Sequence, residues 1–204
     1  MSHAHAIVLR QAASGESFLK LDLLTLHDGA FLCLKRISKK RAEQTSPDLF
    51  DTAALQLERS KQGGVCFVSD YELIKRRQNI GRSYHSLRHA SEYCALLARN
   101  APQMIDTEPL FSLAVRSLDA FAADKAPEVV HLKAIYLLLQ NEGYPIRECW
   151  WRNQSSAIRA QTVKLINSPA PQLHTVSEQR TDCEKIIIGL YRWMERETDL
   201  VLPE

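Results

Sequence analysis

Apolar and polar residues alternate with a period of two between residues 5 and 69, which is the pattern of half-buried β-strands. In the second of these segments Leu19, Leu21 and Leu23 share one face, whereas Phe18 and Lys20 take the opposite face. The alternation predicts five strands, at residues 5–10, 17–26, 30–37, 52–59 and 65–69.

The turns between these strands carry their own sequence signals. Asp28-Gly29 separates the second strand from the third, and this dipeptide between alternating segments favours a tight hairpin. Residues 38–47 form a long polar connection, and Gly63-Gly64 precedes the fifth strand. Five strands with one long connection match an OB-fold barrel better than a β-sandwich, which needs about seven strands.

After Tyr71 the apolar period changes to that of amphipathic helices. The spacing predicts helices at residues 87–97, 110–121, 129–141, 155–166 and from about 181 to 197. Gly143 is the expected C-cap of the third helix, and Thr181 is the expected N-cap of the last. The predicted fold class is therefore α+β, with a five-stranded OB-fold barrel at residues 1–78 and an all-helical C-terminal domain at residues 79–204.

The length of the apolar segments and the spacing of the cysteines indicate in which cellular compartment we expect the protein. The longest apolar run, residues 134–139, is far shorter than the roughly 20 residues that span a bilayer, and the N-terminus lacks the features of a secretory signal. The five cysteines are widely spaced and form no C-x-x-C pair, which favours reduced thiols over a disulfide framework or a zinc site. We therefore expect a cytoplasmic protein without a membrane partner.

The net charge is only +2, but basic residues are concentrated at the end of the third predicted strand. Five of the seven residues from 35 to 41 are Lys or Arg, and such a cluster attracts phosphates if it is displayed on a folded surface; a solvated loop without a partner is the alternative. On an OB barrel these positions can line a groove that follows a phosphate backbone. The predicted nucleic-acid contacts are Arg10, Lys20, Lys35, Arg36, Lys39, Lys40 and Arg41, with a second patch at Lys75, Arg76 and Arg77 just past the fifth strand.

Aromatic residues accompany these cations in the predicted barrel. Phe18, Phe31 and Phe67 are placed where they can stack on bases, although aromatic residues of a small barrel more often belong to its core, and the core is the interpretation favoured here. Cations that contact phosphate carry no base code, so the sequence gives no indication of sequence-specific recognition.

Catalytic signals are weak by comparison. The sequence contains no P-loop, G-x-G-x-x-G, H-E-x-x-H or G-x-S-x-G motif. His85 and His89 lie four residues apart and can face one metal ion, with Glu92 or Cys94 nearby, but histidines at this spacing are common at a helix start. Cys149 is interpreted as a structural cysteine rather than a reactive one. We predict that the protein is not an enzyme and holds no cofactor.

The order of elements resembles that of the bacterial recombination and repair mediator family RecO. The resemblance is clearest in residues 6–10, 15–17 and 23–29 and in the basic segment that begins at Lys35. Downstream it includes Tyr93, Pro102, Leu110-Phe111 and residues 137–144. No single one of these motifs is stringent, and their order and spacing carry the resemblance.

The resemblance implies binding of single- and double-stranded DNA, annealing of complementary strands, and loading of a recombinase onto DNA coated with single-strand binding protein. The implied partners are the C-terminal tail of that binding protein and the mediator RecR, and the implied location is the nucleoid within the cytoplasm. Annealing breaks no covalent bond, which agrees with the absence of catalytic motifs from the sequence.

The sequence departs from the family in the region of residues 144–180. Many members of the family carry a four-cysteine zinc site there, whereas here Cys149 takes the first position and Arg152 stands where the second cysteine would be. Cys183 is too distant to complete a site, so a degenerate motif without zinc is expected. The near-neutral charge and this degenerate motif leave an alternative, a protein-interaction module whose barrel no longer handles DNA.

Overall fold

The computed structural model describes residues 2–37, 46–60, 64–104, 106–171 and 178–203. Five strands form a closed barrel in the order β1-β2-β3-β5-β4, in which β3 and β5 pair in parallel and every other pair is antiparallel. The strands are β1 (Ser2–Ser14), β2 (Phe18–Thr25), β3 (Ala30–Arg36), β4 (Thr52–Arg59) and β5 (Cys66–Lys75). The predicted OB-like barrel is therefore confirmed.

The hairpin between β2 and β3 forms where the Asp28-Gly29 signal places it. Gly29 has φ +76°, a conformation that costs a glycine little. Thr25 closes the turn, because its hydroxyl donates to the Gly29 carbonyl at 2.7 Å and accepts from the Asp28 N–H at 3.0 Å. Phe18 then pairs with Arg36, and Lys20 pairs with Leu34.

The barrel interior is filled by one row of side chains from each strand. Its buried core consists of Ala6, Val8, Leu21, Leu23, Cys33, Ala53, Leu55, Leu57, Val68 and Tyr71. Phe31 is half-buried and packs against this core, as predicted for a barrel aromatic. Burying such a set of apolar side chains contributes about 1.5–3 kcal/mol for each large one.

A buried carboxylate joins the segment before β4 to the end of β5. Asp51 accepts hydrogen bonds from the Tyr71 hydroxyl at 2.7 Å, from Arg76 Nε and Nη2 at 3.0 and 2.7 Å, and from the Asp48 N–H at 3.0 Å. Burial and the bond to Asp51 raise the pKa of Tyr71, and the bond to Asp51 raises the pKa of Arg76. Asp51 is completely buried, so these donors replace the water that it loses on folding.

The rest of the chain is helical. The α-helices are α1 (Tyr84–Asn100), α2 (Thr107–Ala122), α3 (Pro127–Asn141), α4 (Ser156–Asn167) and α5 (Glu178–Glu197). Short 3-10 turns lie at Gln78–Arg82, Ala101–Gln103 and Trp151–Asn153, and a π-turn lies at Ile146–Trp150. Eleven of the 15 residues of α3 are buried, which is expected of a helix with apolar residues on all sides. Among the described residues, no helix is long and apolar enough to cross a membrane.

The chain divides into two compact units whose boundaries differ from a single cut near residue 78. One unit contains Met1–Arg77 and Leu97–Val115, and the other contains Gln78–Leu96 and Arg116–Glu204. In the first unit the hydroxyl of Thr107, at the start of α2, donates to the Leu26 carbonyl at 3.2 Å. The end of α1 and the start of α2 therefore belong with the barrel.

Three predicted elements have wrong bounds. β1 covers Ser2–Ser14 instead of residues 5–10. β5 extends to Lys75, six residues beyond the predicted end at Ser69, because its second half continues to pair with β4 past an irregularity between Gln56 and Leu57. Helix α5 begins at Glu178, so Thr181 lies inside the helix and is not its N-cap. The other helices lie where their apolar spacing predicts them, and Ser155 caps α4 by accepting from the Ile158 N–H.

The buried carboxylate gives a first testable prediction. Replacing Asp51 with Ala leaves Tyr71 and Arg76 without their acceptor, and we expect a loss of about 3 kcal/mol in the free energy of unfolding. Urea denaturation measures the loss. Glu72→Gln, which changes an exposed carboxylate on β5, is the control and should change stability by less than about 0.5 kcal/mol. A similarly small change for Asp51→Ala would contradict the role given to this network.

Candidate nucleic-acid interface

The outward side chains of β2, β3 and β5 place aromatic and basic residues on one face of the barrel. Phe18 and Lys20 on β2 lie opposite Arg36 and Leu34 on β3, and Leu34 is next to Phe67 on β5. We call the set Arg10, Phe18, Lys20, Leu34, Arg36 and Phe67 the outer face. Its cations are exposed and its apolar members are half-buried.

Two rings form the centre of the outer face. The centroids of Phe18 and Phe67 are 6.1 Å apart, with their planes inclined at 55°. This separation is normal for an aromatic pair, and both rings keep part of their surface in water. The sequence-based interpretation of the three phenylalanines as core residues is therefore wrong for Phe18 and Phe67 and right for Phe31. Partly exposed rings on a barrel surface are platforms on which nucleic-acid bases can stack.

Arg10 reaches the outer face because of an irregularity in β1. Val8 pairs with Leu23 inside the barrel, but the register shifts before Arg10, which pairs with Asp22. Without this shift, strict alternation would turn Arg10 inward, on the side of Val8. The Arg10 Nε lies 3.8 Å from Asp22 Oδ2, and with an arginine side chain that is 52% exposed such a pair contributes little to stability.

The charge of the outer face is modest. Lys20 and Arg36 point outward, and their partners across the strands, Leu34 and Phe18, carry no charge. Glu58 on β4 pairs with Phe67, so a carboxylate borders the ring pair on one side. Lys20 lies two residues from Phe18 on β2, and Arg36 pairs with Phe18 across the strands, so both exposed cations are next to the ring pair.

Lys35 lies on the other side of β3, inside the barrel. It pairs with Leu19 and Val68, is buried, and places its ammonium group 5.9 Å from the centre of the Tyr71 ring. Burial lowers its pKa, and the charge of Asp70 partly offsets this effect. The predicted role of Lys35 in binding phosphate is therefore not supported by its position, which is that of a barrel residue in contact with an aromatic ring.

The predicted second patch is engaged within the fold. Arg76 donates to Asp51 and to the Ser46 carbonyl, and Arg77 is buried and donates to the Phe50 carbonyl and the Thr52 hydroxyl at 2.6 and 2.9 Å. Lys75 is the last residue of β5 and is exposed. Lys39, Lys40 and Arg41 lie outside the described residues, so their contribution stays a prediction from the sequence.

The histidine pair that the sequence suggests as a metal site does not come together. His85 is half-buried and its ring contacts that of Tyr84, whereas His89 is buried against His131 of α3. Cys149 is exposed, and Cys183 is buried with its thiol donating to the Glu128 carbonyl. All five cysteines are free, as predicted. No local motif points to His131 as a partner of His89, because the two residues lie 42 positions apart in the chain.

No protein-family model matches the chain, and no curated protein matches its sequence. The part of the RecO resemblance that the structure bears out is the coarse one, a five-stranded barrel followed by helices.

The contrast between Lys35 and the outer face gives a second prediction. Replacing Lys35 with Met removes a desolvated ammonium group and keeps a side chain of similar length, so the melting temperature should stay within a few degrees or rise. Affinity for a single-stranded oligonucleotide should not change, because this ammonium group does not reach the outer face. Thermal unfolding and fluorescence anisotropy measure the two quantities. A folded variant with clearly weakened nucleic-acid binding would contradict the placement of the interface.

Proposed function

We propose that this protein binds single-stranded nucleic acid on the outer face of its barrel and promotes annealing of complementary strands. In this role it would act like the RecO family, as a DNA-binding mediator in recombinational repair that helps to load a recombinase onto DNA coated with single-strand binding protein. The observation that carries the proposal is the Phe18–Phe67 ring pair with Lys20 and Arg36 beside it.

The chemistry of this face suits a single strand better than a duplex. A single strand offers unpaired bases to the rings and phosphates to the cations, whereas a duplex hides the flat surfaces of its bases. In OB folds, strands 2 and 3 carry the usual oligonucleotide surface, and here Phe18, Lys20 and Arg36 lie on those strands.

The same geometry is compatible with annealing. Stacking uses the flat surface of a base and leaves its hydrogen-bonding edge open to a complementary strand. Cations on the protein reduce the repulsion between two phosphate backbones as they approach. Neither effect requires the protein to make or break a covalent bond, and neither reads base identity.

The small charge of the outer face indicates that other cations contribute to binding. Lys39, Lys40 and Arg41 follow Arg36 after only two residues in the sequence, and together they would more than double the positive charge near the rings. The resemblance to RecO further implies contacts with the acidic tail of single-strand binding protein and with RecR, and these partners remain part of the proposal.

Charge reversal tests the proposed interface. We expect Lys20→Glu combined with Arg36→Glu to weaken oligonucleotide binding and to lower the slope of log Kd against log salt by about 1.4, since each phosphate contact on a single strand contributes about 0.7. The matched control is Arg159→Glu with Lys164→Glu, which makes the same charge change on exposed residues of α4.

Two results would count against the interface. Equal affinity of the wild type and the Lys20/Arg36 variant at matched salt would remove these residues from it. Equal weakening by the α4 control would show that only total charge matters. A separate variant with Lys39, Lys40 and Arg41 changed to Glu tests the basic segment. If the wild type binds no nucleic acid at low salt but captures an acidic protein partner, the protein-interaction alternative replaces the proposal.

Removing the rings provides an independent test. Each stacked base contributes about 1–3 kcal/mol, so Phe18→Ala and Phe67→Ala should each weaken binding by about 5- to 150-fold. The salt slope should not change, because stacking displaces no counterions. Leu32→Ala, which shortens an exposed apolar side chain of β3, is the control and should bind like the wild type. Unchanged affinity in a folded Phe18→Ala variant would exclude base stacking at this position.

A further inference from the structure

Two helices of the second compact unit bring three metal-binding side chains together. His89 and Glu92 lie three residues apart on α1, and His131 lies on α3. The Nδ1 atoms of the two histidines are 2.9 Å apart, and Glu92 Oε2 lies 3.9 Å from the first and 3.7 Å from the second. Among the described residues, this is the one group of three His, Cys, Asp or Glu side chains whose ligand atoms converge.

The spacing of these atoms fits a small transition metal ion. Zinc binds nitrogen and carboxylate oxygen at about 2.0–2.2 Å in tetrahedral geometry, which separates neighbouring ligand atoms by about 3.3 Å. The three observed separations lie on either side of this value, so shifts of about half an ångström would complete three-fold coordination. Two imidazoles and one carboxylate favour zinc over magnesium or calcium, which prefer oxygen ligands alone.

The hydrogen bonds around the histidines determine which nitrogen atoms are available. Tyr191 on α5 contacts His131 Nε2 through its hydroxyl at 3.0 Å. If His131 donates from Nε2 to this oxygen, its Nδ1 carries a lone pair directed at His89 and Glu92. A partner of this kind fixes the tautomer and the ring orientation of a metal ligand.

Arg88 opposes metal binding at this cluster. Its Nη2 lies 3.2 Å from His89 Nε2, and because arginine only donates, His89 must accept there and carry its proton on Nδ1. Metal binding at Nδ1 therefore requires this proton to move to Nε2. Arg88 must then give up this contact and keep its interactions with Glu184 at 3.1 Å and Glu92 Oε1 at 3.6 Å.

The cluster borders a cavity of about 440 Å³ that provides room for a further ligand. Its lining includes Glu184, Ile187, Ile188 and Tyr191 of α5 together with Leu202 and Pro203 near the C-terminus. His89 and Glu92 also line it, so a metal ion held by them would face the cavity with its remaining coordination position. Three protein ligands and one open position distinguish such a site from a closed structural zinc site.

We propose that His89 Nδ1, Glu92 Oε2 and His131 Nδ1 bind one zinc ion, with its fourth coordination position open to the adjoining cavity. The proposal does not depend on nucleic-acid binding, because every ligand and every lining residue belongs to the second compact unit. It assigns to the helical region a metal site that uses neither Cys149 nor Cys183.

Zinc titration of the chelator-treated protein tests the proposal. We expect one zinc ion per chain by isothermal titration calorimetry and a rise in melting temperature with zinc, because a ligand that binds the folded state stabilises it. Glu92→Gln should weaken binding by about 100-fold or more, since loss of an outer-shell partner alone costs about 10- to 100-fold. His85→Ala is the control and should bind like the wild type, because His85 lies outside the cluster.

Two further variants separate this site from other causes of zinc binding. Arg88→Met should tighten zinc binding, because it removes a positive charge and the donor to His89 Nε2; a purely structural role for Arg88 would leave zinc affinity unchanged or lower it.

Cobalt added in place of zinc should give the visible absorption of a tetrahedral site, and His131→Ala should abolish this absorption. If His131→Ala fails to fold, Glu92→Gln decides, because its side chain is 38% exposed and keeps its shape. Absence of stoichiometric zinc binding, or binding that Glu92→Gln leaves intact, would overturn the proposal.

Discussion

Closure of the five-stranded sheet is the constraint on which the interface depends. Because β1 pairs with both β2 and β4 and β3 pairs with β5, each strand has one row of side chains inside the barrel and one outside. The inner row is occupied by apolar residues and by Lys35. Rings and cations in the other row are displayed outward, and Phe18, Phe67, Lys20 and Arg36 form one face for this reason.

Most of this arrangement can be predicted from alternation alone, and the exceptions have physical causes. The hairpin of β2 and β3 is local, so its turn sequence and its period of two are enough to place Lys20 outside. On β3 the sequence prediction for Lys35 is wrong, because Cys33 and Lys35 take the buried side of the strand and Leu32 takes the exposed side. The register shift in β1 is not visible in the alternation, yet it decides that Arg10 lies outside. Arg76 and Arg77 look like a surface patch in the sequence, and their structural role depends on Asp51, Phe50 and Thr52, more than 20 residues away.

In the helical region, too, the sequence predicts local structure but not the contacts between residues that are distant in the chain. Apolar spacing locates its helices because the pattern lies within each helix, but packing between helices brings together residues that are distant in sequence. His85 and His89 have a suggestive spacing on one helix with Glu92 nearby, whereas the cluster that forms keeps His89 and Glu92 and takes His131 of α3 in place of His85. Histidines that converge from different helices carry no local motif, so only the folded chain reveals them.

The central claim is that the barrel binds single-stranded nucleic acid through phosphate contacts and stacking. The most direct measurement is fluorescence anisotropy of a labelled single-stranded oligonucleotide titrated with the wild-type protein at a series of salt concentrations. Two phosphate contacts, from Lys20 and Arg36, predict a fall of log affinity with log salt of about 1.4 or steeper, with residual affinity from stacking at high salt. No binding at low salt, or binding that does not change with salt, would contradict the claim.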